Sequence, residues 1–264
     1  MACSIESAAN GTSRNRLVWI VLCSIALLAW IPTVQQSVQM PLIPGTMGMH
    51  LGAFLLFWTV MMVAMMLPAF APILSCHLNV AGQQTPRFFI PVRIALILSG
   101  YLCIWLLFGL PVFWLAQLSA YLAYTVPHVA IYFGMALLLC AGLYQLTPLA
   151  AYCLACCNPK LMTHSHTRNE TNHKIHYRYG PLYDLRSGVV HGLYCLGTCG
   201  GLMLILIPFG LMSLFWMIVI TLVIFCEKVW QHGKTLSYLV ASGLIFLSLL
   251  AWAIPSLLSG LHLG

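Results

Sequence analysis

An all-α polytopic transmembrane helical bundle of about seven spans is the fold this sequence predicts, and three observations predict it. Of 264 residues, 61% are hydrophobic and only 6% are charged, against about a quarter charged in an ordinary soluble domain. The apolar residues fall in blocks close to the ~20 residues that cross a ~30 Å hydrocarbon core. All eleven Lys and Arg lie in alternate gaps between those blocks. Each block must be helical, because lipid offers no partner to a bare backbone N–H or C=O.

Block one, 17–34, follows Arg14 and Arg16 and runs into Trp30-Ile31-Pro32. No small-x-small cleavage site follows it, so it reads as an uncleaved first span and not as a signal peptide. Block two covers 50–74 and block three 92–118, with Arg87 and Arg93 at the link between them. Block four is 127–149 and block five 189–207, with Lys160, Arg168, Lys174, Arg178 and Arg186 between them. Only Pro208-Phe209-Gly210 separates block five from block six, 210–226. Lys228 and Lys234 precede block seven, 236–257. Basic residues favour the cytoplasmic side. Seven spans with the N-terminus cytoplasmic and the C-terminus outside place all of them there, and one helix more or fewer breaks the alternation. The net charge of +7 is therefore a topology signal. The lipid bilayer is the expected partner, and nucleic acid is not.

No linker divides the chain, so a single transmembrane domain over 1–264 is expected. The polar stretch 158–186 reads as a cytoplasmic loop inserted between spans four and five. It carries His164, His166, His173 and His176, at spacings that suit copper, nickel or zinc. Its Ser, Thr and Asn content fits a solvated flexible loop equally well.

Eleven Cys and thirteen Met pack well in apolar interiors, so position matters more than number. In block two Trp58, Met61, Met62, Met65 and Met66 fall within an arc of about 140° on a helix. A thioether face suits a soft ion such as Cu(I). Pro68 can kink that helix and free carbonyls nearby. Block four ends in Cys153, Cys156 and Cys157, a spacing that places three thiols on one face of the last helical turns. That C-x-x-C is compatible with metal binding or dithiol redox chemistry. In block five His191, Cys195, Cys199 and Met203 recur every fourth residue. Neighbours on that stripe rise by about 6 Å and can share an ion. Together they make one site completed by other helices, or a short ladder of sites. Glu227 is an acidic residue at the end of block six, beside Lys228. Ionisable groups in a membrane are functional candidates, although one near the interface can snorkel. The predicted orientation brings these four motifs to the cytoplasmic half of the bundle. Reduced thiols with thioether and imidazole suit Cu(I), and Cys with His also suits Zn(II).

The same residues resemble a bacterial family of predicted metal-binding integral membrane proteins of unknown function, some of whose members are labelled copper chaperones. The pattern begins with Trp58-x-x-Met61-x-x-Ala64-Met65-Met66-x-Pro68, then Gly100, Tyr101 and Trp105. It continues through Ala141-Gly142-x-Tyr144-Gln145-x-Thr147-Pro148 to Cys153 and Cys156. His191-Gly192-Leu193-Tyr194-Cys195-x-Gly197, Met203, Gly210-x-Met212, Trp216-Met217 and Glu227-Lys228 complete it. The resemblance spans about 55–235. Ala150 stands where a lysine is common in the family, Cys157 where arginine is, and Thr198-Cys199-Gly200 replaces a Cys-Cys-Trp-like segment. The His-rich stretch after Pro159 looks like an insertion.

These readings point to a membrane metal-handling protein that binds Cu(I) and transports it or passes it to a cuproenzyme. Two other classes fit the residues. One is a membrane thiol–disulfide oxidoreductase using Cys153 and Cys156 with Cys195 and Cys199. The other is a non-catalytic assembly subunit of a membrane complex whose sulfurs only pack. No G-x-x-x-x-G-K-[ST] phosphate loop is present, so any transport is expected to be passive or gradient-coupled.

Overall fold

The computed structural model describes residues 12–39, 48–81, 89–157, 180–211, 213–230 and 232–253. Among them there is no strand, and the chain folds into helices α1 (Thr12–Gln39), α2 (Leu51–Ala81), α3 (Ile90–Thr125), α4 (Pro127–Gln145), α5 (Pro148–Cys157), α6 (Pro181–Leu204), α7 (Leu206–Phe209), α8 (Leu214–Val229) and α9 (Gly233–Ala253). Six of these segments are long and apolar enough to cross a membrane: Arg16–Val38, Leu51–Ser75, Ile90–Thr125, His128–Gln145, Pro181–Phe209 and Gly233–Ala251. The seven expected blocks thus appear as six full spans and α8, whose 16 residues fall short of that length. Leu17, Ile20, Leu27 and Leu28 on α1, and Leu239, Phe246 and Leu249 on α9, stand exposed. In a bilayer such surfaces meet acyl chains and not water.

Glycine sets how closely the inner helices approach. α3 and α6 pack most extensively. A Cβ on Gly188 would strike the Ile97 carbonyl, one on Gly100 would strike the Leu185 carbonyl, and one on Gly192 would lie 3.0 Å from Ile104. Pairing of 97 with 188 and of 104 with 192 means that α3 and α6 run parallel. α2 and α3 run antiparallel, since Phe54 meets Phe113 while Phe70 stacks on Tyr101. Between them the Trp58 indole lies over Gly109 and donates to the Trp105 carbonyl at 3.0 Å. α4 and α9 are antiparallel, with Gly142 against Ala241 and Ser248 donating to the Met135 carbonyl. These directions are the ones that crossings alternating in chain order require.

Three boundaries differ from the expected ones. Block four is not one helix: α4 stops at Gln145, and Thr147 Oγ1 donates to the Tyr144 carbonyl at 2.6 Å while accepting from the Ala150 amide. Tyr144 Oη donates to the Gly197 carbonyl, and Cys153 Sγ also lies against Gly197. In a straight helix those two residues would be about 13 Å apart. The chain therefore turns at Thr147-Pro148, and the cysteines sit on the separate helix α5, folded against α6. Block five begins earlier than expected. α6 starts at Pro181, so 181–186 of the expected loop is helical, and 158–179 with its four histidines lies outside the described residues. The link between blocks five and six is real, but it is buried. Leu206, Ile207, Pro208 and Phe209 are all enclosed. Gly210 makes the turn at φ 94°, a conformation other residues rarely adopt. Pro68 and Pro72, by contrast, lie within a helix that continues through them.

Candidate metal centre

The last turn of α8 carries the group that organises the site. Lys228 is 3% exposed and Glu227 is fully enclosed. The expectation that Glu227 sits at an interface beside a snorkelling lysine is therefore corrected: both side chains turn inward. Lys228 Nζ donates to Cys195 Sγ at 2.7 Å, and Tyr101 Oη lies 3.0 Å from the same sulfur. The buried Cys199 and Cys157 thiols lie within electrostatic reach of this ammonium. The cation thus bonds one thiol of α6, which a phenol from α3 also meets. Stacking of Phe70 on Tyr101, with ring centroids 4.6 Å apart, fixes the phenol. Gln145 Nε2 donates to the Glu227 carboxylate oxygens at 3.2 and 3.5 Å.

The predicted ligands divide into groups. Cys195 bonds Lys228, and the enclosed Cys199 and Cys157 lie within electrostatic reach of that ammonium. Cys153 is buried against Gly197 instead, and Cys156 is only partly buried, next to Tyr152. Of the α5 thiols, it is the enclosed Cys157 that lies within electrostatic reach of Cys195. Met61, Met62, Met65 and Met66 are all enclosed, and they share one continuous core with Cys195, Cys199 and Met203. Lys228 and Tyr101 were missed as site residues. Both stand in the family pattern, but a lysine at a helix end reads as a flank and a tyrosine in an apolar run reads as packing.

His191 faces a different neighbourhood from the cysteines. Phe70 meets it edge-on, and its Nδ1 is buried with no hydrogen-bond partner among the described residues. Nearby, Arg93 makes two 2.8 Å hydrogen bonds to the carboxylate oxygens of Asp184. His77 Nε2 lies 3.4 Å from Asp184 Oδ1. This cluster ties the adjoining ends of α2, α3 and α6. Burial lowers the pKa of His77, which lies beyond the apolar span of α2, although Asp184 pulls it the other way. The imidazole is thus neutral over a wider pH range than an exposed histidine. Arg93, expected in the link before block three, and Asp184, expected in the polar loop, are instead a buried ion pair.

The donor set of the Lys228 centre is soft and charge-compensated. Thiols and thioethers select Cu(I) over hard cations. Among the described residues no three His, Cys, Asp or Glu side chains converge on a point that could hold a metal ion. A closed three- or four-ligand site of the structural zinc kind is therefore not formed by them.

No curated protein and no solved structure matches the chain. A family model does, over residues 55–251, and the family is PpoB2, described as copper chaperone. With six apolar spans and that match over most of its length, the chain is a multi-pass protein of the bacterial inner membrane and belongs to the PpoB2 copper chaperone family.

Proposed function

We propose that the protein handles Cu(I) as cargo, taking it up on sulfur around Lys228 and moving it across the bilayer or delivering it to a cuproenzyme. The observation that carries this reading is the buried contact of Lys228 with Cys195 at 2.7 Å, with the enclosed Cys199 one helical turn further along α6. Cu(I) is content with two thiolates, and the resulting unit carries a single net negative charge. An ammonium already in place neutralises that charge where water cannot. An open thiol pair, Cys195 with Cys199, also suits cargo better than a closed site, because an incoming sulfur can attack an open metal. The methionines supply a continuation. Met66 lies one turn from Phe70 and Met203 two turns from Cys195, steps of about 6 Å and 12 Å along their helices.

A reading as thiol–disulfide oxidoreductase finds less support. It needs Cys153 or Cys156 beside Cys195, whereas Cys153 lies against Gly197 and Cys156 next to Tyr152. The test is competition for Cu(I) against a calibrated chelator, with the protein in detergent under reducing conditions. Cys195→Ser with Cys199→Ser is expected to weaken binding by at least about a hundredfold, roughly 2.7 kcal/mol. Retention of wild-type affinity by that double variant would exclude the thiol site.

A further inference from the structure

We propose a second Cu(I) station on α5, where Cys153 and Cys156 take the ion from a soluble thiol carrier before it reaches the Lys228 centre. It rests on the copper-handling reading and names the loading step and the chemistry of the donor.

The helix that holds the pair sets its geometry. Both cysteines lie within α5, which runs to Cys157, and at a separation of three residues their Cβ atoms stand about 5–6 Å apart on one face. Two thiolates so placed suit Cu(I), and they do not satisfy Zn(II), which seeks four ligands. A two-ligand site also agrees with the lack of any three-ligand cluster among the described residues. The two thiols differ in access, since Cys153 is buried and Cys156 only partly so. The more open sulfur meets the donor first, and the buried one completes the site.

Position in the fold makes the pair a port. Next to Cys156 stands Tyr152, which is 59% exposed and meets the Tyr194 ring edge-on with centroids 6.2 Å apart. Tyrosine concentrates where acyl chains give way to water, a depth that a water-borne carrier reaches. On the inner side, Cys153 Sγ takes the place that a side chain at Gly197 would fill, since a Cβ there would lie 2.6 Å from it. Gly197 falls between Cys195 and Cys199, two residues and a rise of about 3 Å from each. The α5 pair therefore sits at the depth of the Lys228 centre. Lys228 bonds Cys195, and among the described residues it makes no such bond to Cys153 or Cys156. The charge of a copper–dithiolate unit is thus balanced at the second station and not at the first, which sends the ion inward. Loading is a ligand exchange without electron transfer. Each bond from Cu(I) to a donor sulfur breaks as one to Cys156 or Cys153 forms, and each cysteine proton passes to the thiolate that leaves.

The experiment separates the two stations by removing the inner one. A chain carrying Cys195→Ser and Cys199→Ser, purified in detergent, is titrated anaerobically with Cu(I) against a chelator and examined by X-ray absorption. The inference expects residual binding on sulfur, weaker than in wild type by at least about a hundredfold. Adding Cys153→Ser or Cys156→Ser should weaken it by a further tenfold or more, as should Gly197→Ala, whereas Cys157→Ser should leave it within about threefold. In a chain with Cys195 and Cys199 intact, Cys153→Ser and Cys156→Ser should keep wild-type affinity, which verifies that they fold. Their loading from a Cu(I)–glutathione complex should nevertheless be at least about tenfold slower. Loss of that affinity would make the two sets of thiols one site and overturn the station. A Cys195→Ser, Cys199→Ser chain that binds no Cu(I), residual binding that ignores both α5 substitutions, or loading at the wild-type rate without them also overturns it, and leaves the Lys228 site standing. Absence of sulfur-bound copper in the wild-type chain counts instead against the copper-handling reading itself.

Discussion

Lys228 shows what a buried cation asks of its neighbours. An ammonium withdrawn from water is costly unless an anionic or strongly polar group meets it, and here the atom that meets it is Cys195 Sγ at 2.7 Å. Replacing it by an apolar side chain of similar length should preserve packing while removing the charge that balances a copper–dithiolate unit. Lys228→Met is expected to weaken Cu(I) binding by at least about tenfold, or roughly 1.4 kcal/mol, while Lys228→Arg recovers part of the loss. Chelator competition on the two variants checks this, and equal affinities in Lys228→Met and wild type would remove the ammonium from the site. The thiols were legible at this scale, because Cys195 and Cys199 repeat at helical spacing. The cation was not. A lysine in the last turn of a helix can snorkel outward or turn inward, and only the packing of α8 against α2, α5 and α6 decides which. Arg93 and Asp184 were hidden for the same reason, since each looked like an ordinary flank of an apolar block.

Between elements, the determining contact is α3 against α6. Gly188 and Gly100 allow the two backbones to touch, and that approach sets the distance from Tyr101 on one helix to Cys195 on the other. In a membrane, close packing of small residues replaces the hydrophobic drive that water supplies elsewhere. A side chain at Gly188 meets backbone, which cannot swing aside, so Gly188→Val is expected to destabilise the fold by at least about 1–3 kcal/mol. Unfolding in mixed detergent measures the loss; an unchanged transition would contradict the register given for α3 and α6. The helices themselves were readable from apolar length. The break between α4 and α5 was less so, although its signal was present in Thr147-Pro148, because a residue before proline leaves the helical region readily. It was overlooked because the apolar run continues through it, and hydropathy reports depth in a membrane but not direction. The short α8 follows from the same limit: the break at 208–210 was readable, but not that the enclosed α7 turns on Gly210 at φ 94° and that α8 starts only at Leu214.

For the molecule as a whole, alternation along the chain and relative helix directions agree. α3 is parallel to α6, and α4 is antiparallel to both α6 and α9, as Tyr144 with Gly197 and Met135 with Ser248 require. The side on which the chain starts comes from the basic residues alone. Among the described residues, Arg93 and Lys228 are buried, so they serve the bundle interior and weigh less as topology markers. With the N-terminus cytoplasmic, a reporter that is active only outside the cytoplasm should be active when fused after Gly264 and silent when fused in the segment before Lys234. The reverse pattern would place the thiols in the outer half and revive the oxidoreductase reading. The central claim is that copper sits on sulfur in this bundle. It is tested most directly by metal analysis and X-ray absorption of the wild-type protein, purified in detergent under reducing conditions from copper-fed cells. Copper bound with sulfur as its nearest scatterer is the predicted result, and a folded protein free of copper, or one holding it without sulfur, would contradict the account.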